Sequence, residues 1–370
     1  MIKFLEKTPK KYLGGVALLR LDFNTEDDWR MKAAMPTIRF ILKNARAVVV
    51  LSHRGKPKSE DKKFSLKKDA VSLGRFLNRK VKFLPGFDFR KIKNEIDLAP
   101  KGAIFVLENL RFLPGEEKND NGLAKNLASL GSYYVNEAFS VSHRAHASVS
   151  AITKFLPGYA GMGFAREITV LGKVLNKPEK PLVVVLGGGK AYDKLRVLEN
   201  LKNKTARFLI GGVAANTLSY LSEVEVGSSL IEKDPSRLRE LKGLLKFKNI
   251  VLPVDFRKKG SKILDIGPVT AEIFGGFIAE AKTIIWNGPV GYFEDPGFAK
   301  GSIAVAKAIG KNKKAFSVVG GGETVAFLAK NKLLNVASFV STGGGAMLDF
   351  LAGKKLPGIT ALESIQKNAD

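Results

Sequence analysis

Short apolar, β-branched runs recur along the chain, and each gives way to a polar or glycine-rich stretch. They are Val16–Phe23, Ala47–Ser52, Ile104–Leu107, Tyr133–Val135, Leu182–Leu186, Phe208–Ile210, Ile250–Val254, Thr283–Trp286, Phe316–Val319 and Val336–Val340. Their lack of apolar–polar alternation predicts strands buried on both faces. Stretches with helical character lie between most of them, among them Met35–Lys43, Leu66–Arg79, Val197–Leu201 and Ser302–Ile309. Strands separated by helices in this way predict an α/β fold with parallel, doubly wound sheets. In open sheets of this kind ligands sit beyond the carboxyl ends of the strands, so the residues after each run carry the chemistry.

Those residues differ between the two halves of the chain. Early runs lead into Asp22 and Asn24, His53 and Lys56, Glu108, Asn109 and Arg111, then His143, Arg144 and His146. Late runs lead into glycine: Gly187-Gly188-Gly189-Lys190, Gly211-Gly212, Asn287-Gly288-Pro289, Gly320-Gly321-Gly322 and Gly343-Gly344-Gly345. Arginine forks match phosphate and carboxylate, which suits the first half to a phosphate-bearing small acid. Glycines let backbone N–H groups and helix N-termini approach phosphates, which suits the second half to a nucleotide. A single glycine triplet is as a rule a tight turn, and each arginine alone could be a surface ion-pair partner. Three triplets and a lysine together favour the nucleotide.

Other chemistries lose ground. Gly187–Lys190 is followed by Ala191-Tyr192, so no Walker-type phosphate loop is present, and no G-x-G-x-x-G follows a strand. The second absence weakens a dehydrogenase. The His-Arg-Asp and Asp-Phe-Gly elements of protein kinases are missing. The histidines, His53, His143 and His146, lack the spacing of a zinc site.

A chain of 370 residues is long for one core and predicts two domains. It has no cysteine, which excludes disulfides and thiolate chemistry. The first residues lack the apolar stretch of a secretion signal, and no run is long enough to span a membrane, so an intracellular, cytoplasmic protein is expected. The net charge of +26 invites a nucleic-acid partner. The surplus is spread over both halves, however, and Lys62-Lys63 and Lys67-Lys68 read as solvated surface. Such a field would equally attract small polyanions.

In order along the chain, the motifs resemble the phosphoglycerate kinase family. They begin with Leu21-Asp22-Phe23-Asn24, with Arg30 ahead of Ala34-Met35-Pro36-Thr37-Ile38, and with Ser52-His53-Arg54-Gly55-Lys56-Pro57. Leu107-Glu108-Asn109-Leu110-Arg111-Phe112, Asn136-Glu137-Ala138-Phe139 and His143-Arg144-Ala145-His146 follow. The second half adds Leu186–Lys190 with Asp193-Lys194, then Asp265-Ile266-Gly267-Pro268 and Trp286-Asn287-Gly288-Pro289-Val290-Gly291. Gly320–Thr324 and Ser341-Thr342-Gly343-Gly344-Gly345-Ala346 close the series.

The resemblance implies two Rossmann-like domains joined by a connecting helix and hinge. Residues 1–163 with a returning tail, 352–370, would bind 3-phosphoglycerate, 164–176 would form the helix, and 177–351 would bind nucleotide. Asp22, Asn24, Arg30, His53, Lys56, Arg111 and Arg144 would hold the acid. Lys190, Lys194, Gly212, Asn287, Glu294, Gly321, Gly322, Glu323, Thr324, Gly343, Gly344 and Gly345 would hold ATP or ADP. Within this set Glu294 would meet the ribose, and Glu323 would serve the nucleotide's Mg²⁺. Arg30, Lys190, Lys194, Gly343 and Gly344 would act on the transferring group. The implied reaction is reversible phosphoryl transfer from 1,3-bisphosphoglycerate to ADP, in glycolysis and gluconeogenesis. The implied enzyme is a monomer with no membrane and no specific nucleic-acid partner. The alternative is a catalytically weakened basic protein that binds nucleotide or nucleic acid on the same fold.

The chain departs from the family pattern at several positions. Lys56 stands where the family has arginine, with Arg54 as a possible substitute. Glu323 and Glu137 replace aspartates. Gly211-Gly212-Val213-Ala214-Ala215 replaces a G-G-G-M-A element on the base side of the nucleotide.

Overall fold

The computed structural model describes residues 1–25 and 28–363. The chain divides into two units, Met1–Thr169 with Lys355–Asp370, and Val170–Lys354. Residues 364–370 of the expected returning tail lie outside the described residues.

The first unit is built on β1 (Val16–Arg20), β2 (Ala47–Leu51), β3 (Lys82–Leu84), β4 (Ala103–Leu107), β5 (Tyr133–Asn136) and β6 (Gly158–Ala160). They form one parallel sheet in the order β3-β4-β2-β1-β5-β6. Successive side chains of a strand point to opposite faces, and Ala17, Leu18 and Leu19 are all fully buried, so both faces are covered. Ile38 and Ile41 of the helix Met35–Asn44 join Ala17, Leu19, Val48 and Val50 in one core. Connections from β1 lead outward to β2 on one side and, later in the chain, to β5 on the other. With right-handed crossovers this order places helices on both faces, which is the doubly wound arrangement.

The second unit repeats the plan. It has β7 (Leu182–Leu186), β8 (Arg207–Ile210), β9 (Ile250–Val251), β10 (Phe256–Lys259), β11 (Lys262–Ile266), β12 (Thr283–Asn287), β13 (Phe316–Gly320) and β14 (Phe339–Val340). Six of them make a parallel sheet in the order β14-β13-β12-β7-β8-β9. β10 and β11 form a separate antiparallel hairpin.

The expected α/β class holds. Several elements differ from the sequence expectation for physical reasons. β3 and β6 are three-residue edge strands, too short for an apolar run to show. The β10–β11 hairpin carries Arg257, Lys258, Lys259 and Lys262 and is partly exposed, so its pattern reads as polar. Val336–Val340 is a strand only at Phe339–Val340, because Leu334–Val336 closes into a 3₁₀ turn. The expected Val197–Leu201 helix is the end of a longer one, Ala191–Leu201. The helix expected over 164–176 runs Met162–Asn176, and its first turn is anchored by Glu137. The Glu137 carboxyl oxygens accept N–H bonds from Gly163 (3.0 Å) and Phe164 (3.3 Å), and burial pushes its pKa up to about 8.

At the centre of the second sheet, Trp286 of β12 is fully buried and packs edge-on against Phe327 at 6.0 Å. Its indole N–H donates to the Gly288 carbonyl at 2.8 Å, fixing the loop that leaves β12. Trp286→Ala is expected to destabilise the second unit by about 3–5 kcal/mol. Urea unfolding followed by circular dichroism measures this, and an unchanged midpoint would contradict the packing described.

Candidate functional site

The carboxyl ends of β1, β2, β4 and β5 bring the charged residues of the first unit together. Asp22 is buried just past β1. Its Oδ2 accepts from Arg30 Nη1 at 2.5 Å and from the Ser140 hydroxyl, and its Oδ1 accepts the Asn24 N–H at 2.9 Å. Burial alone would raise the Asp22 pKa, but the Arg30 guanidinium and these hydrogen bonds outweigh it and keep the group ionised. Arg30 is carried by the short helix Trp29–Ala33, its guanidinium lying 5.5 Å from the Trp29 ring.

His53 follows β2, and its Nδ1 lies 3.2 Å from Arg20 Nη2. A guanidinium nitrogen can only donate, so Nδ1 accepts and a neutral His53 carries its proton on Nε2. Burial is the main reason that His53 stays neutral; Asp22 opposes it, while Arg20 and Arg111 reinforce it. Asn24 Oδ1 accepts the Gly55 N–H at 2.7 Å and joins the loops after β1 and β2.

Arg111 sits in the 3₁₀ turn Leu110–Phe112 after β4, buried, and donates from Nη1 to the Gly55 carbonyl. Arg144, after β5, donates from Nε to His143 Nε2 at 3.2 Å. Burial lowers the Arg111 pKa, and the nearby Arg144 charge lowers it further. Among the described residues, Arg30 Nε and Arg111 Nη2 are buried without a hydrogen-bond partner. Buried N–H groups of a cation call for an acceptor, and an anion supplies one.

Lys56 is exposed beside Gly55. Arg54 does not stand in for the missing arginine fork. It is committed to Asp69, at 3.1 Å and 2.5 Å, and to the Thr25 carbonyl at 3.1 Å.

Sequence reasoning passed over the layer beneath these groups. Arg20 is fully buried, and its Nε donates to Ser148 Oγ at 2.8 Å. Glu116, also fully buried, accepts from the Ser148 hydroxyl (2.6 Å) and N–H (3.0 Å). It also lies 4.0 Å from Arg20 Nη2 and 3.7 Å from His146 Nδ1. The available signal was an arginine closing an otherwise apolar strand, Val16–Arg20. Burial, followed by the charges of Arg20, Arg111 and Arg144, pushes His146 down to about 3.

In the second unit the strand ends meet through backbone. Gly188 N–H donates to the Pro289 carbonyl at 2.6 Å, Gly212 N–H to Val290 at 3.0 Å, and Val213 N–H to Gly188 at 3.2 Å. A Cβ on Gly187 would fall 2.1 Å from the Pro289 oxygen, and one on Gly212 would fall 2.7 Å from Gly188 N. Gly212 also has φ +57. These glycines therefore let three loops interlock, and the N–H groups of Gly188 and Gly212 are already bonded within the protein.

Helices then start at Ala191, Gly212, Gly322 and Gly345, just beyond β7, β8, β13 and β14. Their first N–H groups and dipoles favour negative charge. Lys194 is buried in the first of these helices, with Nζ donating to the Gly187 carbonyl and lying 3.7 Å from Glu323 Oε2. Burial lowers its pKa, and Glu323 pulls the other way. Lys190 is exposed at the cap of the same helix. Thr324 Oγ1 accepts the Gly288 N–H at 2.7 Å. Asn287 is buried beside Gly321, and its Nδ2 has no partner among the described residues. Gly343 donates its N–H to Ser341 Oγ at 3.0 Å, and Gly344 takes φ +46 ahead of the helix Gly345–Leu351.

A cavity of about 440 Å³ opens among these loops, with Gly188, Gly212, Glu294 and Glu323 on its wall and Leu230, Ile263 and Tyr292 giving it an apolar side. Val213 and Ala215, from the element that departs from the G-G-G-M-A pattern, also line it. Lys190 lines a neighbouring hollow with Asp193 and Arg237. Lys194, Asn287 and the Gly343–Gly345 turn are not on the wall of the larger cavity.

The phosphoglycerate kinase family model matches residues 12–354. The chain belongs to the phosphoglycerate kinase family. It is 42% identical to the phosphoglycerate kinase of Pseudothermotoga lettingae, with 95% of this chain and 96% of that protein covered. The phosphoglycerate kinase of Herpetosiphon aurantiacus is 40% identical, with 94% and 96% covered. Among solved structures, phosphoglycerate kinase from Pyrococcus horikoshii superposes with a TM-score of 0.88 at 30% identity, covering 99% of this chain and 100% of that one. The chain is thus related to phosphoglycerate kinases over nearly its whole length, as the ordered motifs indicated.

The two buried histidines of this phosphoglycerate kinase family member give its stability a pH dependence. Both are neutral in the fold, while an unfolded histidine binds a proton below pH 6.5, so the unfolded state holds more protons. Stability is therefore full above pH 6.5 and is lost as pH falls from there towards 3, by roughly 1.4 kcal/mol per pH unit for each group. Urea midpoints at pH 7.5 and 5.5 measure this, and His146→Gln is expected to flatten the slope. An identical slope in the variant would refute the burial of a neutral His146.

Proposed function

We propose that the strand ends of the first unit bind 3-phosphoglycerate, and that those of the second bind ATP or ADP. The enzyme is a phosphotransferase of the phosphoglycerate kinase family. Its reaction passes a phosphoryl group between 1,3-bisphosphoglycerate and ADP, giving 3-phosphoglycerate and ATP.

The observation that carries the acid site is the pair of unpartnered buried guanidinium N–H groups on Arg30 and Arg111, set around the ionised Asp22. Arg30, Arg111 and Arg144 neutralise the substrate's phosphate and carboxylate. Asn24 and the Nε2–H of a neutral His53 orient it, and Lys56 adds charge at the rim. Asp22 holds the Arg30 guanidinium in place. On the nucleotide side, Gly212 and Glu294 take the base and ribose end. Lys190, Lys194, Asn287, Gly321, Gly322, Thr324 and Gly343–Gly345 take the phosphates. The acceptor is a carboxylate, already ionised at neutral pH, so no general base is required. What the residues must supply is alignment and charge neutralisation, with Arg30, Lys190, Lys194, Gly343 and Gly344 at the moving group. Transfer is direct, with no covalent enzyme intermediate. The domain assignment 1–163 with 352–370, 164–176 and 177–351, and closure about the 164–176 helix, belong to the same proposal.

Among the described residues no cluster of three or more His, Cys, Asp or Glu is disposed to hold a metal. Glu323 is a lone, half-exposed carboxylate at a helix start. Such a donor fits Mg²⁺ that arrives on the nucleotide phosphates better than a metal caged by protein. Glu323 would hold that ion, which when bound neutralises phosphate charge. Among the described residues no helix is long and apolar enough to cross a membrane. We place the enzyme in the cytoplasm as a monomer. The nucleic-acid-binding alternative is not favoured by the comparisons, and the +26 charge is read as attraction for anionic substrates.

The test is turnover of ATP and 3-phosphoglycerate coupled to NADH oxidation, with and without Mg²⁺. Activity should require Mg²⁺, and Arg30→Ala or Lys194→Ala should each lower kcat by about 10²–10³-fold. Wild-type rates in either variant would defeat the assigned roles. Lys56→Arg should restore a bidentate fork and lower the KM for 3-phosphoglycerate by about two- to fivefold, leaving the KM for ATP in place. An unchanged KM for the acid would remove Lys56 from the site.

A further inference from the structure

The Asp265-Ile266-Gly267-Pro268 element has no part in the transfer just described, yet its carboxylate lies next to the nucleotide cavity. Asp265 is buried near the end of β11 and lines that cavity, while both of its carboxylate oxygens are bonded to backbone N–H groups. Oδ2 accepts the Gly301 N–H at 2.8 Å, and Oδ1 accepts the Ile266 N–H at 2.9 Å. Gly301 is the second residue of the helix Lys300–Lys311, where an N–H lacks a partner within the helix and an anion is favoured.

The other end of the same segment touches the same carboxylate. A Cβ on Gly291 would lie 2.1 Å from Asp265 Oδ1, and one on Gly301 would lie 2.4 Å from it. Residues 291 and 301 thus press on Asp265 from both ends of one loop, and both are glycine because no side chain fits. Further ties run alongside: Tyr292 N–H donates to the Leu264 carbonyl at 2.7 Å, and Val290 N–H to Ser302 Oγ at 3.0 Å. Between the two ends the loop presents Tyr292, Phe293 and Glu294 to the cavity.

We propose that Asp265 is a positioning residue for the nucleotide: it bolts the ends of the 291–301 loop together and so sets Glu294 on the cavity wall. This rests on the proposal that the nucleotide occupies that cavity. Asp265 acts through the loop, because its carboxylate is spent on the backbone N–H groups of Gly301 and Ile266. An aspartate that served only the fold would, when altered, lower stability or shift every kinetic constant together. One that sets the loop acts on the nucleotide alone.

The experiment is a kinetic cycle on the full chain with Asp265→Asn, Glu294→Ala and the double variant, reading the KM for ATP, the KM for 3-phosphoglycerate and kcat. Asparagine turns an amide N–H₂ towards one of two backbone donors, so it breaks one tie and keeps the shape. The expected result is a KM for ATP about tenfold higher in Asp265→Asn. The KM for 3-phosphoglycerate should stay within about twofold. The double variant should be no worse towards ATP than Glu294→Ala alone, since coupled residues do not add. Gly301→Ala, whose new methyl group displaces the carboxylate, should give the same split and serves if Asp265→Asn does not fold. An unchanged KM for ATP, a rise in both KM values together, or multiplying effects in the double variant would each overturn the proposal. Failure of the wild-type enzyme to saturate with ATP would instead overturn the cavity assignment beneath it.

Discussion

Every strand in each six-stranded sheet is parallel, and a parallel strand can be followed only by a crossover that returns the chain to its starting edge. All strand exits therefore fall on one edge of each sheet. Residues distant in the chain become neighbours there, as with Asp22 and Ser140, separated by 118 residues and joined by a hydrogen bond. The edge also isolates chemistry from structure. Strand interiors can be largely apolar because most of the polar groups lie at strand ends and in the loops that follow them.

The two units use that edge in different ways. In the first, guanidinium groups are held by buried polar groups: the half-buried Arg30 by Asp22, and the buried Arg20 by the Ser148 hydroxyl with Glu116 nearby. Removing charge from water is costly unless it is paired, so these networks explain how guanidinium groups can be kept out of water at these strand ends. Among the described residues the pairing is incomplete at Arg30 Nε and Arg111 Nη2, which are buried without an acceptor. In the second unit the loops are brought so close that side chains are excluded, and the geometry is carried by backbone. Charge comes from helix starts and from Lys194, whose ammonium is held by the Gly187 carbonyl and balanced by Glu323.

Much of this was legible along the chain. The strand runs were visible because both faces of each sheet are buried, which removes alternation from β1, β2, β7 and β12. Site residues were visible because they follow those runs directly. The edge strands β3 and β6 were hidden by their shortness, and the charged β10–β11 hairpin by its exposure, which leaves no apolar record. Arg20 and Glu116 were hidden for the opposite reason. A charge in an apolar strand or a Glu-Glu pair resembles surface until its partners are known, and those partners come from segments remote in the chain.

The sequence by itself determined the family, the α/β class and the strand-end residues, because periodicity and motif order are local properties of the chain. Tertiary structure decided which of those residues have partners. It committed Arg54 to Asp69 and left Lys56 exposed, although the two are separated by a single glycine. It bonded the Gly188 and Gly212 N–H groups to neighbouring loops, and it set Asp265 between Gly291 and Gly301. Each outcome depends on a distance between segments remote in the chain, and such distances are set by packing of the sheet edges and not by the spacing of residues.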